Sequence, residues 1–84
     1  MARILLTQAD RVDRQLEALI AKYMILRGTS AMALAEKLGI SDATWRRKRK
    51  TGTELTLGQL LRLETALNIP RDELLDALKG GGAS

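Results

Sequence analysis

The sequence predicts an all-α fold, on three observations. Sixteen of the 84 residues are Leu, while Trp and Tyr occur once each and Phe is absent. Leu and Ala favour helices, whereas a sheet draws on β-branched and aromatic residues. Apolar side chains recur three and four residues apart instead of alternating, the mark of helices with one buried face. Ser or Thr also stands just ahead of the periodic stretches, where a hydroxyl caps a helix start. A chain of 84 residues suffices for one core and no more. Burying about 60–65% of its unfolded surface leaves a thin stability margin, which oligomerisation would widen.

Thr7 is expected to cap a first helix, with Asp10 in its first turn where the macrodipole favours an anion. Val12, Leu16, Leu19, Ile20, Tyr23 and Met24 share its buried face, and Arg27 and Gly28 close it. Ile25 and Leu26 widen that stripe beyond what one core needs. Ser30 caps "AMALAEKL", which turns Leu34 and Leu38 inward and ends at Gly39. Ser41 at once caps a third helix, expected to run to about Lys50 before "TGT" breaks it. Two helices joined by so short a turn, with Gly in it, cross at a steep angle.

Thr56 and Gln59 form a capping box ahead of "LGQLLRLETALN", where Leu57, Leu60, Leu61 and Leu67 line one face and Leu63 broadens it. Pro70 suits the first position of a fifth helix, with Asp72 and Glu73 in its first turn and Leu74, Leu75 and Leu78 facing inward. Residues 1–79 are thus expected to form one domain, with 80–84 as a flexible tail.

Composition narrows the function. Cys is absent, so neither disulfides nor thiolate metal sites contribute. His is absent too, which removes the commonest general base and metal ligand. Catalysis would need paired carboxylates or a buried Lys, and the acids here are scattered singly along amphipathic helices. No enzyme, cofactor or metal is expected. No apolar run approaches the roughly 20 residues of a membrane span, and "MARILLTQAD" lacks a secretory apolar region. The expected location is the cytoplasm.

The charge is concentrated. Residues 41–50, "SDATWRRKRK", hold five of the 14 cations and one of the 10 anions, so this window carries the whole net charge of +4. A neutral body with one basic patch suggests a placed contact with a polyanion. On a helical wheel, Asp42, Ala43, Arg46, Arg47 and Lys50 fall within an arc of about 140°, while Ser41 and Trp45 point the other way. Lys48 projects toward the core side, so it must either snorkel past the indole or mark where the helix unwinds. Glu36, Lys37 and Glu64 read as ordinary exposed charges.

The stretch "SAMALAEKLGISDATW" resembles the Cro/C1-type helix-turn-helix family of phage and bacterial repressors. Ala35 matches the small residue where the two helices touch, Gly39 the turn glycine, and Leu34, Leu38 and Ile40 the apolar positions around it. "LTLGQLLRLETALNIPRDELL" is similar to the family's last two helices through Leu60, Ala66, Leu67, Ile69, Leu74 and Leu75, so the resemblance covers about residues 27–76. Three positions depart from it. Ala31 stands where the family often has Gln, Trp45 is larger than usual, and Lys48 replaces a buried aliphatic residue. The resemblance implies a five-helix, lambda-repressor-like domain, with the motif at about 30–50, that binds double-stranded DNA and regulates transcription.

A helix fits the major groove of DNA, and the first residues of a recognition helix meet base edges while later ones meet backbone. By position, Asp42, Ala43, Arg46 and Arg47 are the expected base contacts. Either Arg would grip a guanine edge, Ala43 would touch a thymine methyl, and Asp42 would accept from cytosine or orient an Arg. Ser30, Thr44, Arg49, Lys50 and Thr53 are the expected phosphate contacts. One module reads few base pairs, so a homodimer on paired half-sites is expected. Candidate dimer surfaces are Ile4, Leu5 and Leu6, then Met24 and Ile25, then Leu75 and Leu78. The alternative is an antitoxin-like or adaptor module of the same fold whose main partner is a protein.

Overall fold

A computed structural model describes residues 8–80. Its helices are α1 (Gln8–Arg27), α2 (Ala31–Leu38), α3 (Asp42–Lys48), α4 (Leu57–Leu67) and α5 (Arg71–Leu78), with one 3-10 turn at Gly52–Glu54 and no strand among these residues. Thr7, Ile4, Leu5, Leu6 and residues 81–84 lie outside the described residues. Gly80 follows α5 with its N–H donated to Ala77 O at 3.0 Å.

The helix ends are set locally. The Ser30, Ser41 and Thr56 hydroxyls accept the N–H of Ala33, Thr44 and Gln59, and Thr56 and Gln59 complete the capping box. α1, α2 and α4 all stop in the same way. The residue just past each helix (Gly28, Gly39, Asn68) is left-handed, with φ of 64°, 74° and 51°. The next N–H then reaches back five residues, from Thr29 to Met24 O, Ile40 to Ala35 O and Ile69 to Glu64 O, at 3.0–3.1 Å. Such closures satisfy carbonyls that the helix end would orphan. The turn after α1 swings α2 through 109° relative to it.

The core gathers Leu16 and Ile20 of α1, Leu34 and Leu38 of α2, Trp45 of α3, and Leu63 and Leu67 of α4, all fully buried. α1 lies against α5 and across the 3-10 turn, while α2 packs on α3 and α4. Gly52 is buried where a Cβ would come within 2.6 Å of Leu16 Cδ1 and 3.0 Å of its Cβ. The glycine therefore lets the chain pass close beneath α1.

Several expectations need correction. α3 ends at Lys48 and not near Lys50. The last bond of α-helical span runs from Arg49 N–H to Trp45 O, after which Lys50 and Thr51 bond carbonyls three residues back and turn the chain toward Gly52. On α4 the inward seam is Leu60, Leu63 and Leu67, whereas Leu57 and Leu61 are exposed. On α5 the inward pair is Leu74 and Ala77, and Leu75 and Leu78 form the neighbouring, exposed stripe. Pro70 caps α5 one residue before its first helical position. Met24 packs partly against the core and is half-buried.

Glu64 is not an ordinary exposed charge. Its side chain is only 13% exposed and accepts the Nε and Nη2 of Arg71, tying α4 to the start of α5. That bonding lowers the Glu64 pKa and raises that of Arg71. On the opposite seam Tyr23 donates its hydroxyl to Glu73 Oε2 at 2.5 Å, and Lys22 Nζ lies 3.2 Å from Glu73 Oε1. The bond to Glu73, and then burial, raise the Tyr23 pKa, while the bonds from Tyr23 and Lys22 lower that of Glu73. Arg27 donates to the carbonyls of Leu67 and Asn68, each at 2.9 Å, a cation at the negative end of α4.

Candidate nucleic-acid interface

The site is built on α3. Ser41 starts it with two bonds, accepting Thr44 N–H at 3.1 Å and donating to Thr44 Oγ1 at 2.8 Å. Trp45, one turn later, has no exposed surface, which fixes the rotation of the helix about its axis. The indole N–H is buried without a hydrogen-bond partner among the described residues. Packing therefore holds the ring.

With Trp45 inward, Ala43, Arg46 and Arg47 are exposed, and Asp42 and Thr44 are half-buried beside them. Arg46 Nε lies 3.1 Å from Asp42 Oδ2, while its side chain stays 71% exposed. Arg49 is half-buried and Lys50 exposed, both past the helix end. Ser30 is exposed at the start of α2, and its oxygen accepts Ala33 N–H at 3.1 Å, which leaves the hydroxyl proton to donate outward. The same holds for Thr44, whose oxygen is the acceptor in its bond with Ser41. Thr53 is exposed, but its backbone N–H is taken by Asp13 Oδ1 at 2.8 Å, so only its hydroxyl is left for a ligand.

Lys48 resolves both ways at once. It is the last residue of α3, and its half-buried side chain sends Nζ to within 3.5 Å of Gln59 Oε1. That oxygen also accepts Thr56 N–H at 3.0 Å, so Lys48 ties the end of α3 to the start of α4. The partner sits 11 residues away, beyond what a wheel of α3 can show. Met32 on α2 is 70% exposed. A wheel of α2 places it opposite the buried Leu34.

A short helix capped at its start, joined to α2 through a left-handed glycine and anchored from behind by an aromatic ring, has the architecture of a helix-turn-helix reader. Residues 20–79 match the family model of the Cro/C1-type HTH DNA-binding domain. The chain belongs to the Cro/C1-type helix-turn-helix family. The family is one of DNA-binding regulators, and its match takes in residues 20–27 of α1 and all of α2–α5. No curated protein matches the chain, and no solved structure matches it. Among the described residues, no three His, Cys, Asp or Glu side chains are placed to hold a metal ion, and no single helix is long and apolar enough to cross a membrane.

Proposed function

We propose that the protein is a sequence-specific regulator, a repressor of the phage or bacterial type, that binds double-stranded DNA in the cytoplasm as a homodimer and inserts α3 in the major groove. The observation that carries this is the outward pair Arg46 and Arg47 on a helix whose rotation Trp45 fixes. In this reading Asp42, Ala43, Arg46 and Arg47 lie at the base edges, while Ser30, Thr44, Arg49, Lys50 and Thr53 meet phosphates. Dimer contacts come from Ile25, 80% exposed, and from Leu75 and Leu78 on α5. Selecting bound duplexes from a random pool tests the proposal. An inverted repeat supports sequence reading and dimerisation together, whereas a pool that stays random overturns sequence reading.

One observation favours a second reading, an antitoxin-like or adaptor role with a protein partner. Ile25 and Leu26 are 80% and 61% exposed side by side at the end of α1. Salt separates the two readings. DNA affinity falls on a log–log plot with a slope of about 0.9 per phosphate neutralised. An apolar protein contact hardly responds to salt.

A further inference from the structure

The two arginines of α3 are not equivalent. Arg46 is paired with Asp42 one helical turn back, its Nε 3.1 Å from Asp42 Oδ2, whereas Arg47 has no hydrogen bond or ion pair from its side chain among the described residues. The other oxygen of that carboxylate, Asp42 Oδ1, is buried and unpartnered. The accessible oxygen, Oδ2, is the one against which the Arg46 guanidinium lies. With the carboxylate beside Nε, both terminal amines of Arg46 are without a partner among the described residues, and side by side they form the fork that matches the O6 and N7 acceptors of guanine. Holding it in place before binding also removes part of the ordering cost that an unrestrained Arg meets when it binds.

We propose that Asp42 is a positioning residue, which aims Arg46 at one guanine and reads no base itself. The proposal rests on the DNA-binding reading above. It makes Arg46, and not Arg47, the sharper base reader.

The test is selection from a random duplex pool with the full chain, its Asp42→Asn and Arg46→Ala variants, and the double variant. Wild type enriches guanine at a fixed position, and Arg46→Ala reduces that enrichment about ten-fold or more. Asp42→Asn reduces it about two-fold at the same position, the worth of an exposed pair one turn apart on a helix, and leaves the other positions unchanged. The double variant matches Arg46→Ala. Affinity for random duplex is kept or raised in Asp42→Asn, because an anion has left the groove face. A misfolded variant loses that affinity as well, so the binding data also report folding, and Asp42→Ser, which removes the carboxylate but leaves a small polar side chain in the first turn, then replaces it with the same two-fold threshold.

Two outcomes overturn the proposal while DNA binding stands. One is an Asp42→Asn profile identical to wild type; the other is a change at a base pair that Arg46→Ala leaves alone. A wild type that enriches no sequence removes the underlying reading instead, and the inference with it.

Discussion

Along the seams of α5, charges meet partners on other helices: Lys22 and Tyr23 of α1 converge on Glu73, and Arg71 grips Glu64 of α4. Along α3, the partner of Arg46 is on its own helix, and Arg47 has none among the described residues. The difference separates two uses of charge. In the seams, ions hold elements in register and have their titration shifted by one another. On α3, Arg46 and Arg47 are supported from beneath by an apolar ring and left facing outward, while Lys48 turns back to Gln59 of α4. Charge that folding does not consume is what remains for a partner, and on α3 two neighbouring arginines present it on one exposed face.

That contrast can be broken at several points. The largest effect is expected beneath α3. Trp45→Ala empties a fully buried site and should lower stability by about 3–5 kcal/mol, read in denaturant melts. Trp45→Phe, which keeps most of the ring and removes the unpartnered N–H, should cost less. An unchanged midpoint in Trp45→Ala means that the indole does not anchor α3.

Gly52→Ala is next. The added methyl meets Leu16, itself fully buried, and overpacking of this kind costs about 1–3 kcal/mol. A neutral result shows that α1 and the 3-10 turn can separate slightly without loss.

The α5 seams predict a pH profile. Glu73 and Glu64 both titrate below the ordinary 4.5 because Tyr23 with Lys22, and Arg71, hold their charged forms. The unfolded chain therefore takes up protons first as the solution is acidified. This stabilisation is complete above about pH 4.5 and is lost as the pH falls through the lower folded values. Tyr23 runs the other way. Its folded pKa lies above 10.0, so its contribution is complete below that pH and is lost as the pH rises through the folded value. Melting temperature against pH should show both limbs, and Glu73→Gln should flatten part of each. A profile unmoved by that substitution excludes the Tyr23–Glu73–Lys22 contact as a source of stability.

Arg47→Ala should have the smallest effect on stability, within about 0.5 kcal/mol. It should still weaken preference for the selected site while keeping general DNA affinity. Equal loss on selected and random duplexes makes Arg47 a phosphate contact.

The helix count, the caps at Ser30, Ser41 and Thr56 and the turn at Gly39 were legible because each is written in residues that lie three to five positions apart. The inward direction of Trp45 followed from spacing too, since Ser41 set where α3 begins. What escaped were pairings across the chain. Lys48 looked anomalous until Gln59 of α4 was beside it, and Glu64 looked solvated until α5 brought Arg71 to it. On α4 and α5 the run of leucines offered more apolar residues than one face can bury, so Leu57, Leu61, Leu75 and Leu78 were assigned inward on periodicity alone.

Local chemistry in the chain settled that there would be five helices, where most of them start and stop, and which face of the third carries arginines. Those features depend on hydrogen bonds and wheel positions within a single turn or two. The end of α3 at Lys48, the need for glycine at 52, and the choice between Leu74 and Leu75 as the buried residue were decided by packing. Each depends on the distance to a partner element, to α1 above all, and that distance exists only once the helices have closed on a common core.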